Sequence, residues 1–296
     1  MIAIDWGTSS LRGYLLGPDG QVRDHRRGAD GILACQGRFN AVLEALITGW
    51  DGPVLLSGMI GSRNGWVEQA YLPCPADTAA LAQAMQRYDD LLPGRTLWFV
   101  PGVSVGEHDG TPDVMRGEET QLVGLLAALG DGEHIACLPG THSKWARLAH
   151  GQLTGFATVM TGELYALLRQ HSILGKLMHD DGGSLDEGAF LQGVTRSAEA
   201  GGLSHHLFGT RTLGLFERLP AQALPSYLSG LLIGHELRDH CGDRCGDHRA
   251  VHLVGSPALA QRYALALQHL GVTSQLHPED LAAAGLFALA QQRGLA

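Results

Sequence analysis

The chain opens on an alternating stretch, Met1–Trp6, whose spacing predicts a β-strand. Gly7–Ser10 reads as a turn, Leu11–Leu16 as a second strand, Pro18–Gly20 as another turn and Gln21–Arg27 as a third, more polar strand. Phe39, Val42, Leu43, Leu46 and Ile47 follow at helical spacing. Pro53–Leu56 predicts a short buried strand. Asp77 reads as the N-cap of a helix over Thr78–Leu92 with Leu81, Ala84, Met85 and Tyr88 on one face, and Thr96–Val100 as a strand.

A Gly- and Pro-rich loop, 102–113, leads to a predicted helix over Gly117–Leu129. His134–Leu138, Lys144–Ala149 and Gln152–Val159 predict a second three-strand meander. Helices are expected over Gly162–His171, Asp186–Ala200, His205–Phe216 and Leu224–His240. Ala250–Val254 and Val272–Leu276 read as strands, Ala258–Leu270 and Pro278–Arg293 as helices. The element order of the first half thus recurs in the second without short-period sequence repetition. The expected fold is a duplicated α/β architecture, with lobes 1–112 and 113–296 flanking a cleft and the closing helix 278–293 free to pack back on the first lobe.

Each meander carries a small-residue turn at its first hairpin: Gly7-Thr8-Ser9 and Gly140-Thr141-His142-Ser143. Without a Cβ in the way, backbone N–H groups at such turns can point at an anion, and neighbouring hydroxyls add donors. One such turn is ordinary loop chemistry; two at matching positions suit the β- and γ-phosphates of a nucleotide. Asp5, just before the first turn, can hold Mg²⁺ through water, since that ion keeps several of its waters.

Composition narrows the classes further. Lys and Arg number 21 against 30 Asp and Glu in 296 residues, a net charge of −9 that argues against sequence-independent nucleic-acid binding. Only Lys144 and Lys176 are lysines, so Lys144 beside the second turn is conspicuous as a phosphate ligand or hairpin brace. No apolar run approaches membrane-spanning length, no secretory leader is apparent, and five scattered cysteines do not resemble a disulfide framework. A soluble cytoplasmic protein is expected, with no nucleic-acid or membrane partner; a homodimer is compatible with the sequence.

The motifs carry a resemblance. Ile4-Asp-Trp-Gly-Thr-Ser9 and Leu138-Pro-Gly-Thr141 resemble the two phosphate motifs of the actin–hexokinase–Hsp70 ATPase superfamily, whose fold is a duplicated ribonuclease H-like one. Val251-His-Leu-Val-Gly255-Ser256 resembles its adenosine motif, with Ser256 departing from the usual Gly pair. Gly58–Trp66, Tyr71–Pro75, Asp113–Gln121, Leu138–Trp145 and Met160–Leu164 are similar, in order, to segments of 2-dehydro-3-deoxygalactonokinases. The resemblance implies an ATP- and Mg²⁺-dependent kinase for the terminal (C6) hydroxyl of 2-keto-3-deoxygalactonate, in galactonate catabolism. Another keto-deoxy sugar acid, or a nucleotide-switch ATPase of the same superfamily, are the alternatives.

By analogy with sugar kinases, Glu118 aligns with the catalytic base, with Glu119 and Asp113 as competitors. Asp5, Gly7, Thr8, Ser9, Gly140, Thr141, Lys144, Gly255 and Ser256 are the expected nucleotide ligands, with Asp5 also at the metal. A sugar-acid carboxylate calls for an Arg fork, and Arg63 and Arg116 both qualify; Ser62, Asn64 and His142 are further candidate substrate contacts. Trp66 suits a lid or a sugar-stacking face. Thr161 and Gly162 begin a helix whose N-terminus suits an anion, although Thr161 is equally a plain N-cap. His235 and His240 stand one place too far apart for a zincin helix, and the Cys241/Cys245/His248 loop reads as a solvated turn rather than a metal knuckle.

Overall fold

The computed structural model describes residues 1–106, 110–130, 132–179, 182–241, 250–278 and 280–296. Its backbone divides into two compact units. One comprises Met1–Glu133, Ala146–Ala157 and Pro278–Ala296, the other His134–Trp145 and Thr158–His277. The lobe boundary read from the sequence, at 112/113, falls inside the first unit.

In the first unit β1 (Ile2–Trp6), β2 (Leu11–Leu16) and β3 (Val22–Gly28) form an antiparallel meander. The short α1 (Ile32–Cys35) and α2 (Phe39–Leu46) lead to β4 (Val54–Ser57), which runs parallel to β1. Then come β5 (Tyr71–Pro73), β6 (Ala76–Asp77), α3 (Thr78–Ala84), β7 (Gln86–Leu92), β8 (Arg95–Phe99), β9 (Gly102–Val105), β10 (Asp113–Met115) and α4 (Glu118–Ala128). The main sheet is ordered β3-β2-β1-β4-β8-β7, and β10-β9-β5 form a small one. Ile2, Ile4 and Trp6 pack with Phe39, Leu43, Val54, Leu56 and Phe99 in one core cluster. Ala3 and Leu55, which point to the opposite face, are buried as well. Both faces of the central strands are covered, which explains their nearly unbroken apolar runs.

The second unit starts in β11 (Glu133–Leu138), β12 (Ser143–Ala149) and β13 (Gln152–Val159), whose far ends count to the first unit. α5 (Thr161–His171), α6 (Glu187–Arg196), α7 (Gly202–Leu215) and α8 (Leu224–Cys241) precede β14 (Val251–Val254), α9 (Pro257–His269) and β15 (Ser274–His277). The sheet order is β15-β14-β11-β12-β13-β6, with β14 parallel to both β11 and β15. The runs β3-β2-β1-β4-β8 and β13-β12-β11-β14-β15 therefore repeat one pattern, the duplicated fold that the superfamily resemblance implies.

Two expectations are corrected. The helix expected over 78–92 stops at Ala84. Asp77 caps it as expected, accepting from the Ala80 N–H at 2.7 Å, but Gln86–Leu92 is a strand antiparallel to β8. A Pro93-Gly94 turn favours the hairpin, and Arg87, Asp89 and Asp90 stay exposed along it. The loop expected over 102–113 contains β9 and begins β10 at its end.

α10 (Leu281–Arg293) returns to the first unit and packs along α4, α3 and β1. Glycines bring α4 and α10 backbone to backbone: a Cβ on Gly285 would lie 1.8 Å from the Thr120 carbonyl oxygen, and one on Gly124 2.2 Å from that of Leu281. Backbone cannot step aside as a side chain can. Gly285→Ala is therefore expected to lower stability by about 2 kcal/mol or more. Urea unfolding checks this; an unchanged midpoint would refute the close contact.

Candidate active site

In the first unit Asp5 lies near the end of β1, opposite Arg12 of β2 and Ser57 of β4. The nearest Arg12 nitrogen is 3.9 Å from its carboxylate. Burial pushes the Asp5 pKa up to about 6, with Arg12 lowering it and Glu118 raising it. The turn that follows closes with the Gly7 N–H donating to the Ser10 carbonyl at 2.9 Å. Segment 31–33 braces it from behind: Ile32 and Leu33 N–H groups donate to the Gly7 and Thr8 carbonyls, and a Cβ on Gly31 would come within 2.3 Å of the Thr8 oxygen. The Thr8 and Ser9 side chains remain exposed.

Two glycines with positive φ lie next to Asp5. A Cβ on Gly58 (φ +94°) would meet the Trp6 carbonyl oxygen at 2.7 Å and an Asp5 carboxylate oxygen at 3.4 Å. One on Gly117 (φ +110°), the residue before α4, would lie 3.2 Å from the Gly58 Cα. The end of β4 and the start of α4 meet there, joined also by a Ser57–Thr120 hydroxyl pair at 3.1 Å. Glu118 begins the helix, its carboxylate accepting from the Arg116 N–H at 3.2 Å.

The other two acids sit differently. Glu119 is only 1% exposed, accepts from the Gly117 N–H at 2.6 Å and has its other oxygen unpartnered. Burial foremost, then Glu118, pushes its pKa up to about 8. Asp113 lies in β10 and accepts from the Val114 N–H at 2.7 Å.

The two candidate arginines also differ. Arg116 is buried, stacks 4.3 Å over the Tyr71 ring, donates to the Gln69 carbonyl at 2.7 Å and keeps Nε and one terminal nitrogen unpartnered. Arg63 and Asn64 are exposed in a turn closed by the Gly65 N–H donating to Ser62 at 2.8 Å. Ser62 is buried, and its hydroxyl donates to the Met59 carbonyl at 2.7 Å. Trp66 packs against Phe39 and Phe99 at the edge of the core.

In the second unit the turn Pro139–His142 joins β11 to β12, with Thr141 and His142 exposed and Lys144 buried. The start of α5 is seated on this turn. The Glu163 N–H donates to the Thr141 carbonyl at 2.9 Å, a Cβ on Gly162 would meet the Gly140 oxygen at 2.3 Å, and the Glu163 carboxylate pairs with His142. Gly255 abuts the same turn, since a Cβ there would be 3.3 Å from the Pro139 oxygen. Ser256 precedes α9, with its side chain exposed and making no cap bond.

Sequence reasoning missed Glu236. It is a buried carboxylate in α8 that accepts from Trp145 Nε1 at 2.8 Å and from the Tyr263 hydroxyl at 2.7 Å. An acid inside the apolar run 228–237 was the available signal. Among the described residues no group of three or more His, Cys, Asp and Glu side chains is arranged to hold a metal ion; Cys245 and His248 fall outside them. No described helix is long and apolar enough to cross a membrane.

A proton held by Glu119 in the folded chain is lost from the unfolded chain above about pH 4.5. Stability should therefore fall as pH rises from about 5 to 8, by up to about 1.4 kcal/mol per unit from this group. Glu119→Gln keeps an acceptor for Gly117 and should flatten that slope. Denaturant unfolding at pH 5.5 and pH 8 measures it, and parallel slopes in variant and wild type would count against a neutral Glu119.

The chain is similar to known proteins along nearly its whole length. Residues 5–289 match the model of the 2-keto-3-deoxy-galactonokinase family. A protein of Rhizobium meliloti (strain 1021), named as a candidate 2-dehydro-3-deoxygalactonokinase, is 38% identical over 98% of this chain and 96% of its own. The 2-dehydro-3-deoxygalactonokinase of Escherichia coli (strain K12) is 35% identical over 91% and 90%. A crystal structure from Sinorhizobium meliloti, described as a candidate enzyme of the same name, superposes with a TM-score of 0.88 at 36% identity over 98% of each chain. The chain belongs to the 2-keto-3-deoxy-galactonokinase family.

Proposed function

We propose that this protein transfers the γ-phosphoryl group of ATP to the terminal hydroxyl of 2-keto-3-deoxygalactonate. The observation that carries the reading is the meeting of Asp5, Gly58, Gly117 and Glu118 in a family member of this kind. It puts a potential metal-holding carboxylate and a potential base on neighbouring elements, near enough for the charge of Glu118 to raise the pKa of Asp5.

Glu118 is assigned as the base. It takes the proton of the attacking hydroxyl as the new P–O bond forms and the bond to the ADP oxygen breaks. Glu119, enclosed and neutral near pH 7, is unsuited to that role, whereas Glu118 is the acid whose charge raises the pKa of Asp5. Thr8 and Ser9, and Gly140, Thr141 and Lys144, are each assigned to phosphate binding. Gly255 and Ser256 are assigned to the adenosine side.

Asp5 fits Mg²⁺: it is a hard oxygen donor, and burial outweighs the Arg12 cation 3.9 Å away, leaving its charge poorly compensated. Magnesium supplies neutralisation of the phosphate oxygens. Arg63, exposed on a turn and without a competing partner among the described residues, is assigned to the sugar-acid carboxylate, with Asn64 beside it. Arg116 braces the same loop from below, where a Cβ on Gly61 would come 3.2 Å from its guanidinium. His142, paired with Glu163, is assigned to hydrogen bonding at the substrate or phosphate.

The first test is ADP release with MgATP against 2-keto-3-deoxygalactonate, 2-keto-3-deoxygluconate, galactonate and a plain hexose. Turnover confined to the first acceptor is expected. Equal use of both keto-deoxy epimers would overturn the named specificity, and acceptor-independent ADP release would overturn the kinase reading. Glu118→Gln should cut kcat by about 10²–10⁴ while nucleotide binding survives. Arg63→Ala should raise KM for the sugar acid about tenfold or more without moving KM for ATP or the melting temperature; an unchanged sugar-acid KM would remove Arg63 from the pocket.

A further inference from the structure

One buried carboxylate lies outside the roles assigned so far. Glu236, 3% exposed, sits in the middle of a helix buried along most of its length. Trp145 Nε1 donates to one of its oxygens and the Tyr263 hydroxyl to the other. Since the single Tyr263 proton goes to Glu236, the Ser143 hydroxyl must be the donor in the Ser143–Tyr263 pair at 3.0 Å. Burial raises the Glu236 pKa, and hydrogen bonding, from Thr161 first and then from Tyr263 and Trp145, opposes that. The carboxylate is thus ringed by donors from β12, α5 and α9.

Those donors flank the second turn on both sides. Ser143 and Trp145 alternate with Lys144 on β12, so pinning the first two to one face of the strand directs Lys144 to the other. Thr161 is the first residue of α5, whose next two residues rest on Gly140 and Thr141. The strand that leaves the turn and the helix seated on it are therefore held by one side chain that is not part of the turn.

We infer that Glu236 is a positioning residue for phosphoryl transfer: through Ser143, Trp145, Thr161 and Tyr263 it fixes the Gly140–His142 turn and the face of Lys144 in the arrangement that receives the nucleotide phosphates. The inference rests on the phosphate role given to that turn in the proposed function. It differs from a core-stability role in what it should disturb. A merely structural anchor would lower the melting temperature and reduce the active fraction, leaving each KM alone.

Glu236→Gln tests it. Glutamine keeps the shape but replaces one acceptor oxygen by a donor facing Trp145 or Tyr263. Expected are an increase in KM for ATP and in the calorimetric Kd for MgADP of about tenfold, corresponding to about 1.4 kcal/mol, and a sugar-acid KM within twofold of wild type. Tyr263→Phe, which cuts the path to Ser143 and leaves Trp145 in place, should shift both nucleotide constants the same way by less. A folded Glu236→Gln protein with wild-type nucleotide constants would overturn the inference, as would a lowered melting temperature with every KM unchanged. If Glu236→Gln does not fold, Tyr263→Phe decides by the same two constants. MgADP binding needs no acceptor, so wild-type binding without sugar-acid turnover would sink the proposed substrate and leave this test standing.

Discussion

Backbone must touch backbone where the first unit assembles its acids. Asp5 near the end of β1, Gly58 just after β4 and Gly117 just before α4 crowd one spot: a Cβ on Gly58 would strike the Trp6 carbonyl, and one on Gly117 would press on Gly58. Both hold positive φ, which glycine adopts without the penalty other residues meet. This closeness is what lets Asp5 and Glu118 feel each other electrostatically and what encloses Asp5 enough to raise its pKa. The same principle recurs on the far side of α4, where Gly124 and Gly285 let α10 press on the helix that carries Glu118. The acids are placed by missing side chains as much as by present ones.

The two phosphate turns share a look in the sequence and differ in how they are held. The first is braced by main chain, with residues 31–33 donating to its carbonyls. The second is braced by side chains and a helix: α5 caps its Thr141 carbonyl, and Glu236 grips the residues beyond it. In both, carbonyl oxygens are satisfied from behind while the hydroxyl-bearing residues stay exposed. A turn whose acceptors are already occupied presents mainly donors, the arrangement an anion needs.

Much of this was legible before any coordinates. β13 spans the residues its spacing predicted, and the two meanders with their turns were readable because period-two alternation and Gly-rich turns are local signals. The helix over 78–92 failed for an instructive reason: Leu81, Ala84, Met85 and Tyr88 meet helical spacing, yet Tyr88 packs on Phe99 from a strand that needs β8 to exist. Strands of two to four residues such as β5, β6 and β9 have too few positions to show a period. Among the candidate site residues, the turns were readable from their small residues and Glu118 was put forward by the resemblance, while burial is what distinguishes Glu119 and Arg116 from the more exposed Glu118 and Arg63. Spacing cannot reveal burial. The partners of Glu236 lie far away in sequence, at Trp145 and Tyr263, so local spacing does not show its role.

The packing of α10 on α4 has a consequence in time. The helix that bears Glu118 is made before the whole second unit, and its partner helix only after it. On a growing chain α4 must wait with its glycine-lined face uncovered while the intervening unit emerges and folds. The arrangement of acids at its first turn is thus completed late in synthesis, and a nascent chain stalled within the second unit would carry both acids without the scaffold that seats them.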